Sequence, residues 1–271
     1  MTIGIVGCGR MGAPMLAALR RAGLPVRGFD IRSPQEFGPL SDVMTNDPDV
    51  FAADLSTLFT VVRDIAQTDE VLFLDQSFIT RAPHLERVAV CSTLSPRYVR
   101  GLRDRIPTRI ALVDAPMSGA AIAAQEARLS FMLGGADTDI GALQPLLKHM
   151  GSHFHHMGAF GAGMSAKVLN NLLAASSTAM TRLVLDWADQ TGIDERALLD
   201  LIHTSSGQNW LASGFDEIEF ARDGHTPDNT IAILVKDIDS ALDDAPETAD
   251  TSLPTAVQNL IRSLTPRLPN S

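Results

Sequence analysis

Residues 4–15 read GIVGCGRMGAPM, and their reading decides the fold. A β-branched run, IGIV at 3–6, passes at once into Gly7-Cys8-Gly9-Arg10-Met11-Gly12, and PMLAALRRAG (14–23) follows with helical spacing. A G-x-G-x-x-G spacing alone is weak; one that leaves a strand and opens a helix is far more specific. Gly7 allows the tight turn, Gly9 lets the backbone approach a pyrophosphate, and Gly12 lets the helix pack on the strand. The helix start then offers N–H groups to the phosphates. A second strand, PVRGFD (25–30), ends in Asp30, 18 residues after Gly12. Its carboxylate can accept hydrogen bonds from the adenosine ribose hydroxyls, which favours NAD, because a 2′-phosphate would meet a like charge. Arg32, two residues on, could turn over a 2′-phosphate and leave NADP possible, or could be a solvated loop charge.

Outward from this stretch, strands are expected at LFTVVR (58–63), VLFL (71–74), VAVCS (88–92), IALVDA (110–115) and LSFMLGG (129–135). SPRYVRGLRDRI (95–106) and TDIGALQPLLKHM (138–150) carry helical spacing between them. Such alternation implies a doubly wound, Rossmann-type α/β domain with a mostly parallel sheet. After residue 160 the pattern changes. Apolar residues recur at helical spacing from 165 to 191, and GIDERALLDLI (192–202) and DNTIAILVKDIDSALDDA (228–245) add helices. No strand is read there, and the tail TPRLPNS (265–271) is expected to fray. The expected organisation is a dinucleotide-binding domain over 1–161. An all-helical substrate and dimerisation domain, beginning with a long hinge helix, is expected over 162–271.

The 271 residues carry a net charge of −10, with 45% hydrophobic and 20% charged residues. With no long basic run, this balance argues against a nucleic-acid partner. Cys8 and Cys91 form neither a metal spacing nor a disulfide framework, which suits a reducing compartment. The start, MTIGIVGCG, lacks the basic region of a signal peptide, and no apolar run is long enough to span a membrane. A soluble cytoplasmic protein is expected. The histidines of HMGSHFHHMG (149–158) put His153 and His155 on one face of a strand, but no carboxylate or cysteine joins them. An edge strand is expected there, and no metal.

GAGMSAKVLNN (161–171) holds Lys167, the only fixed charge between Lys148 and Arg182. On a helix, Asn170 and Asn171 share its face. The positive end of the helix dipole and the low local polarity both disfavour an ammonium, as a general acid/base at neutral pH requires. Ser118 and Gly119 follow a strand end, where the ligand clefts of open α/β sheets form. Their N–H groups and the Ser118 hydroxyl could hold a carboxylate.

Together these stretches resemble the β-hydroxyacid dehydrogenases, which include 3-hydroxyisobutyrate dehydrogenase and tartronate semialdehyde reductase. GIVGCGRMGAPM is similar to that family's cofactor loop, with Arg10 and Met11 among the residues at the cofactor. CSTLSP (91–96) is similar to its segment near the nicotinamide, which implies that Thr93 touches the cofactor. DAPMSGA (114–120) resembles the substrate-binding segment and implies substrate contacts from Ser118, Gly119 and Ala120. GAGMSAKVLNN resembles the segment with the catalytic lysine, so the resemblance makes Lys167 the general acid/base. It also brings Ser118 and Asn171 to the reaction, and Asn170 and Asn171 to the substrate. VKDIDSAL (235–242) resembles a further Lys-Asp motif, in which Lys236 would bring positive charge towards the cofactor and an anionic substrate.

The implied reaction is NAD(P)-dependent hydride transfer between a small β-hydroxy acid and its semialdehyde or keto acid, in a homodimer or homotetramer. Several positions depart from the family pattern. Ala120, Ala123 and Ala127 stand where glycines are usual, Val62 and Arg63 stand where Leu-Pro usually flanks the cofactor, and the chain ends early. Three alternatives stay open. A 6-phosphogluconate-type decarboxylase would carry histidine where Asn170 stands, an imine reductase usually replaces the lysine, and a non-catalytic dinucleotide sensor would need only the first domain.

Overall fold

The computed structural model describes residues 1–268 and divides into two compact units, Met1–Lys167 and Val168–Ser271. The first unit is built on a nine-stranded sheet. Its strands are β1 (Thr2–Val6), β2 (Val26–Phe29), β3 (Met44–Thr45), β4 (Leu55–Thr60), β5 (Arg87–Val90), β6 (Ala111–Asp114), β7 (Met117–Ser118), β8 (Leu129–Gly134) and β9 (Gly151–Gly158). Six run parallel in the order β3-β2-β1-β4-β5-β6. The winding direction reverses between β1 and β4, and a crevice opens outside the carboxyl ends of strands at such a point. Beyond β6 the chain keeps one antiparallel register against β8. Asp114 lies opposite Gly134, then Met117 and Ser118 of β7 lie opposite Phe131 and Ser130. β9 closes this side, parallel to β8.

The helices of this unit are α1 (Gly12–Arg21), α2 (Pro48–Ala52), α3 (Ile65–Leu72), α4 (Phe78–Arg81), α5 (Pro96–Arg105), α6 (Ala120–Gln125) and α7 (Asp137–Leu147). They cover two apolar layers. One packs Met15, Leu16 and Leu19 of α1 with Ile3, Ile5, Phe131 and Leu143. The other packs Leu58, Val88 and Val90 with Phe51, Phe78, Val99 and Leu102. A sheet covered on both faces buries its strands completely, so they lose the alternation that marks a half-exposed strand.

That burial separates two observed elements from the expected strands. The strand expected at 58–63 is β4, shifted towards the N-terminus, because Ser56 and Thr57 are buried with their apolar neighbours. The strand expected at 71–74 is the end of helix α3 and the turn after it. Asp64 caps α3 by accepting from the Gln67 N–H, and Thr68, Val71 and Leu72 form its buried face. Four apolar letters in a row were the last turn of a short helix.

In the second unit, α8 (Ala162–Thr191) arrives from the first and is followed by α9 (Glu195–Thr204), α10 (Trp210–Ser213), α11 (Thr230–Asp243) and α12 (Ser252–Arg262). No strand occurs among its described residues, as the pattern predicts. One cluster packs Ala175 and Ala179 with Ile231, Ile238 and Ile261; another packs Leu185 with Leu199, Leu211 and Phe215. Arg182, fully buried, donates to the carbonyls of Ala221, Asp223 and Thr265 at 2.9, 2.7 and 2.5 Å. In the tail expected to fray, Thr265 and Arg267 are instead bonded into the helical unit. Arg267 is buried and its guanidinium meets Glu195 at 2.5 Å, Asp186 at 2.9 Å and Asp189 at 2.7 Å. Three carboxylates around one guanidinium hold the segment down; residues 269–271 of that expectation lie outside the described residues.

Two of the alanines that replace family glycines adopt the left-handed conformation those glycines would favour. Ala120 has φ 53° and Ala127 φ 55°. Ala127 follows α6 in the position where helices commonly end on glycine. The left-handed region costs an L-residue about 1–2 kcal/mol, partly offset by the extra freedom glycine has when unfolded. Ala127→Gly should therefore raise stability by about 0.5–1 kcal/mol in urea titration. A loss of stability would contradict this reading of the turn.

Candidate active site

The glycine loop leaves β1 at the reversal point. Gly7 has φ 87°, and a methyl there would stand 2.7 Å from the Val61 carbonyl and 2.9 Å from a Val62 methyl. The loop is thus pressed against the segment after β4, and Val62 is its neighbour. A methyl on Gly12 would stand 2.2 Å from the Gly7 carbonyl, so helix and loop touch backbone to backbone. Gly9 is the opposite case: nothing lies within 4 Å of where its methyl would be. No acidic residue lies in the first turn of α1 and no side chain caps it. An open glycine before an uncapped helix start fits a diphosphate. Arg10 is exposed and Met11 half-buried beside it.

Asp30 ends β2 on the same edge. Its Oδ1 accepts from Arg32 Nε at 3.0 Å and from the Arg32 backbone N–H at 3.2 Å, and its Oδ2 accepts from Nη2 at 3.1 Å. Nη2 also donates to the Cys8 carbonyl at 3.2 Å, and the guanidinium lies over the Phe37 ring. Burial pushes the Asp30 carboxyl up, but the Arg32 hydrogen bonds outweigh it and hold the group below its ordinary value. Cys8 is a buried thiol raised to about 12, by burial first and then by the charge of Asp30, so it stays protonated.

Further along the edge, Arg63 donates its backbone N–H to Gln67 Oε1 at 3.0 Å while Asp64 accepts from the Gln67 N–H, a reciprocal cap on α3. Thr93 follows β5. The neighbouring Leu94 N–H donates to Met164 Sδ at 3.4 Å, tying this segment to the first turn of α8. Past β6 come Ser118, Gly119 and Ala120. Gly119 has φ 134°, and a methyl on it would collide with that of Ala123 at 2.5 Å.

Lys167 lies in the second turn of α8 and is buried, so it does not extend along an exposed helix face. Asn170 and Asn171 follow one turn on along the helix. In the second unit, Asn171 Nδ2 donates to Asp237 Oδ2 at 2.6 Å, and Lys236 Nζ lies 2.9 Å from Asp237 Oδ1. Asp237 is itself buried. An amide whose N–H₂ is so held turns its oxygen away from the carboxylate.

Sequence patterns missed Asp114 as a site residue, although they quoted it within DAPMSGA. It ends β6 fully buried and accepts the backbone N–H groups of Gly161 at 2.6 Å and Met164 at 2.5 Å. Burial pushes its carboxyl up to about 6, against the lowering effect of the N–H groups of Gly161, Met164 and Gly163. The available signal was an aspartate at the end of an apolar strand, a position where a charge persists only if something binds it.

The fold and the glycine loop define a dinucleotide-dependent oxidoreductase: a Rossmann domain followed by a helical one. Residues 2–158 match the family described as the NAD binding domain of 6-phosphogluconate dehydrogenase, and residues 161–268 match that described as NAD-binding of NADP-dependent 3-hydroxyisobutyrate dehydrogenase. The mitochondrial 3-hydroxyisobutyrate dehydrogenase of Rattus norvegicus is 28% identical over 91% of this chain and 76% of its own length. The 3-hydroxyisobutyrate dehydrogenase of Pseudomonas aeruginosa is 29% identical over 95% and 90%. Among solved structures, 3-hydroxyisobutyrate dehydrogenase of Mycobacterium tuberculosis, with L-serine, superposes with a TM-score of 0.79 at 25% identity, covering 97% and 96%. The chain belongs to the 3-hydroxyisobutyrate dehydrogenase-like family. It is accordingly an NAD(P)-dependent oxidoreductase of a small hydroxy acid or keto acid.

The raised pKa of Asp114 has a signed consequence. A carboxyl at about 6 in the folded chain and near 3.8 unfolded contributes stability that is complete below 3.8 and lost as pH rises through 6. Asp114→Asn does not titrate, so it should gain on the parent between pH 4 and pH 7 by about 2 kcal/mol, most of the 1.36 kcal/mol per unit over the shift. Urea titrations of both proteins at the two pH values measure this, and the constant loss of one acceptor cancels. A difference independent of pH would contradict it.

Proposed function

We propose that the protein interconverts a small β-hydroxy acid and its semialdehyde or keto acid, with Lys167 as general acid/base, NAD as the favoured cofactor and NADP as a possible one. The observation that carries the reading is a buried lysine in the second turn of a helix whose start is bonded to the end of β6 and to the segment after β5. The glycine loop opens on the same edge of that sheet. When bound, the nicotinamide accepts a hydride from the hydroxyl-bearing carbon or returns one to the carbonyl. Lys167 takes the hydroxyl proton in oxidation and delivers it in reduction. Ser118 and the N–H groups at 118–120 hold the substrate carboxylate, which the net charge of −10 would otherwise repel. Asn171 orients the substrate by its amide oxygen, while Asn170 shares that helix face and Lys236 adds positive charge.

In this reading residues 1–161 hold the cofactor, and 162–271 supply further substrate residues and the oligomer contacts. Leu169, Leu173, Met180 and Trp187 are exposed along one side of α8. No fixed charge interrupts that side between Leu169 and Met180, so it suits a second copy in a homodimer or homotetramer. A monomer by light scattering would overturn that assembly.

For the cofactor, Gly7, Gly9, Arg10, Met11 and Gly12 bind the diphosphate, Val62, Arg63 and Thr93 flank the nicotinamide side, and Asp30 takes the ribose hydroxyls. Arg32 already occupies both oxygens of Asp30, so ribose binding must displace part of that pair. A 2′-phosphate would instead draw Arg32 away from it.

Nicotinamide absorbance with a panel of short β-hydroxy acids and semialdehydes, L-serine first among them because it accompanies the mycobacterial relative, tests the activity. Lys167→Ala should lower kcat by about 10²-fold or more, the scale of a lost general acid/base, without loss of cofactor binding. Near-normal turnover would exclude the assignment. In the same assay Arg32→Ala should raise the KM for NADP about tenfold, as for a lost charge-assisted phosphate contact, and leave or lower that for NAD. Equal effects on the two would remove Arg32 from cofactor choice.

A further inference from the structure

The first turn of α8 is held to the sheet by a carboxylate that the reaction itself does not require. Asp114 Oδ1 accepts the Gly161 N–H at 2.6 Å, and Oδ2 accepts the Met164 N–H at 2.5 Å. These donors sit at the helix start, where backbone N–H groups lack intrahelical partners. Space for the carboxylate is made by two glycines. A methyl on Gly134 would stand 2.2 Å from Oδ1, and one on Gly163 would stand 2.9 Å from Oδ2. A methyl on Gly163 would also press to 2.4 Å on the Met132 carbonyl of β8, so helix and sheet meet backbone to backbone. Met164, bonded through its N–H to Asp114, receives the Leu94 N–H on its sulfur at 3.4 Å. The turn is thus fixed at the end of β6 and at the segment that follows the neighbouring β5, and Lys167 comes three residues after Met164.

We propose that Asp114 is a positioning residue, whose carboxylate clamps the first turn of α8 to the ends of the strands and so sets where Lys167 presents its amine. The proposal rests on the acid/base reading of Lys167. A carboxylate suits the task better than an amide. Two N–H donors approach from one helix start, and a carboxylate offers two acceptor oxygens, whereas asparagine offers one oxygen and turns a competing donor towards the second N–H. Misplacement of a reacting group by about 1 Å is enough to cost about 10²-fold in rate.

The test uses the full-length protein and four variants: Asp114→Asn, Asp114→Ala, Gly134→Ala and Lys167→Ala. Circular dichroism checks folding at the assay temperature, and protein-fluorescence titration with the cofactor checks binding. Asp114→Ala should lower kcat by about 10²-fold with cofactor affinity essentially kept. Asp114→Asn, with one acceptor left, should recover part of that loss. Gly134→Ala, which pushes a methyl into the carboxylate's place, should reproduce the loss with Asp114 still present. The limb of the pH–rate profile that Lys167→Ala abolishes should move in Asp114→Asn, whereas a purely structural defect would scale the whole profile down. If Asp114→Ala does not fold, the asparagine and Gly134→Ala variants carry the test. Full kcat and an unmoved pH limb in the folded variants, beside an inactive Lys167→Ala, would overturn the proposal alone. Turnover retained by Lys167→Ala would overturn the acid/base reading instead.

Discussion

A carboxylate with no access to solvent, at the end of β6, holds two backbone N–H groups at the start of α8. Burying a charge is unfavourable unless hydrogen bonds replace its water. Here the replacement is incomplete, since burial still outweighs the N–H bonds in setting the Asp114 pKa. That imbalance is retained where the geometry of one helix start matters most. The two glycines that admit the carboxylate, and the methionine sulfur that receives the Leu94 N–H, make sense only around this join. Remove it and the sheet survives on its apolar layers, but the segment bearing Lys167 loses its reference to the strand ends.

The glycine loop sets tight glycines beside an open one. Gly7 and Gly12 are packed so closely that a methyl on either would overlap backbone, whereas Gly9 faces open space. Rigidity around an open position is what a backbone-lined anion site needs, because the N–H groups must already point at the phosphate before it arrives. The Asp30–Arg32 pair next to it is electrostatically self-contained. In the proposed reading a ribose hydroxyl or a phosphate would divide these opposite charges, so cofactor choice would be a competition for one ion pair.

The sequence made the architecture legible where local rules and tertiary demands agree. The glycine loop, strands β1, β2, β5, β6 and β8, helices α5 and α7, and the long α8 follow from spacing alone. It misled where burial erased periodicity. β4 hides Ser56 and Thr57 in the core and so looked later than it is. VLFL looked like a strand because a run of four cannot separate a buried strand from one helical turn; the cap at Asp64, seven residues earlier, was the missing cue. Helices α10 and α12 carry few strong signals of their own, and the order of the tail depends on Arg267 meeting acids some 70–80 residues away in the chain. For the site, motifs located the loops but not their supports. Asp114, Gly134 and Asp237 are legible only once β6, β8 and α11 are in place, because each acts on a partner distant in sequence.

In the proposed reaction a hydride leaves the hydroxyl-bearing carbon while a clamped Lys167 handles the proton. The most direct measurement follows deuterium from that carbon of a turned-over β-hydroxy acid, by mass spectrometry of the reduced nicotinamide. The label should arrive on the cofactor, with a normal primary isotope effect on kcat/KM. Label found in solvent water, with unlabelled reduced cofactor, would contradict it.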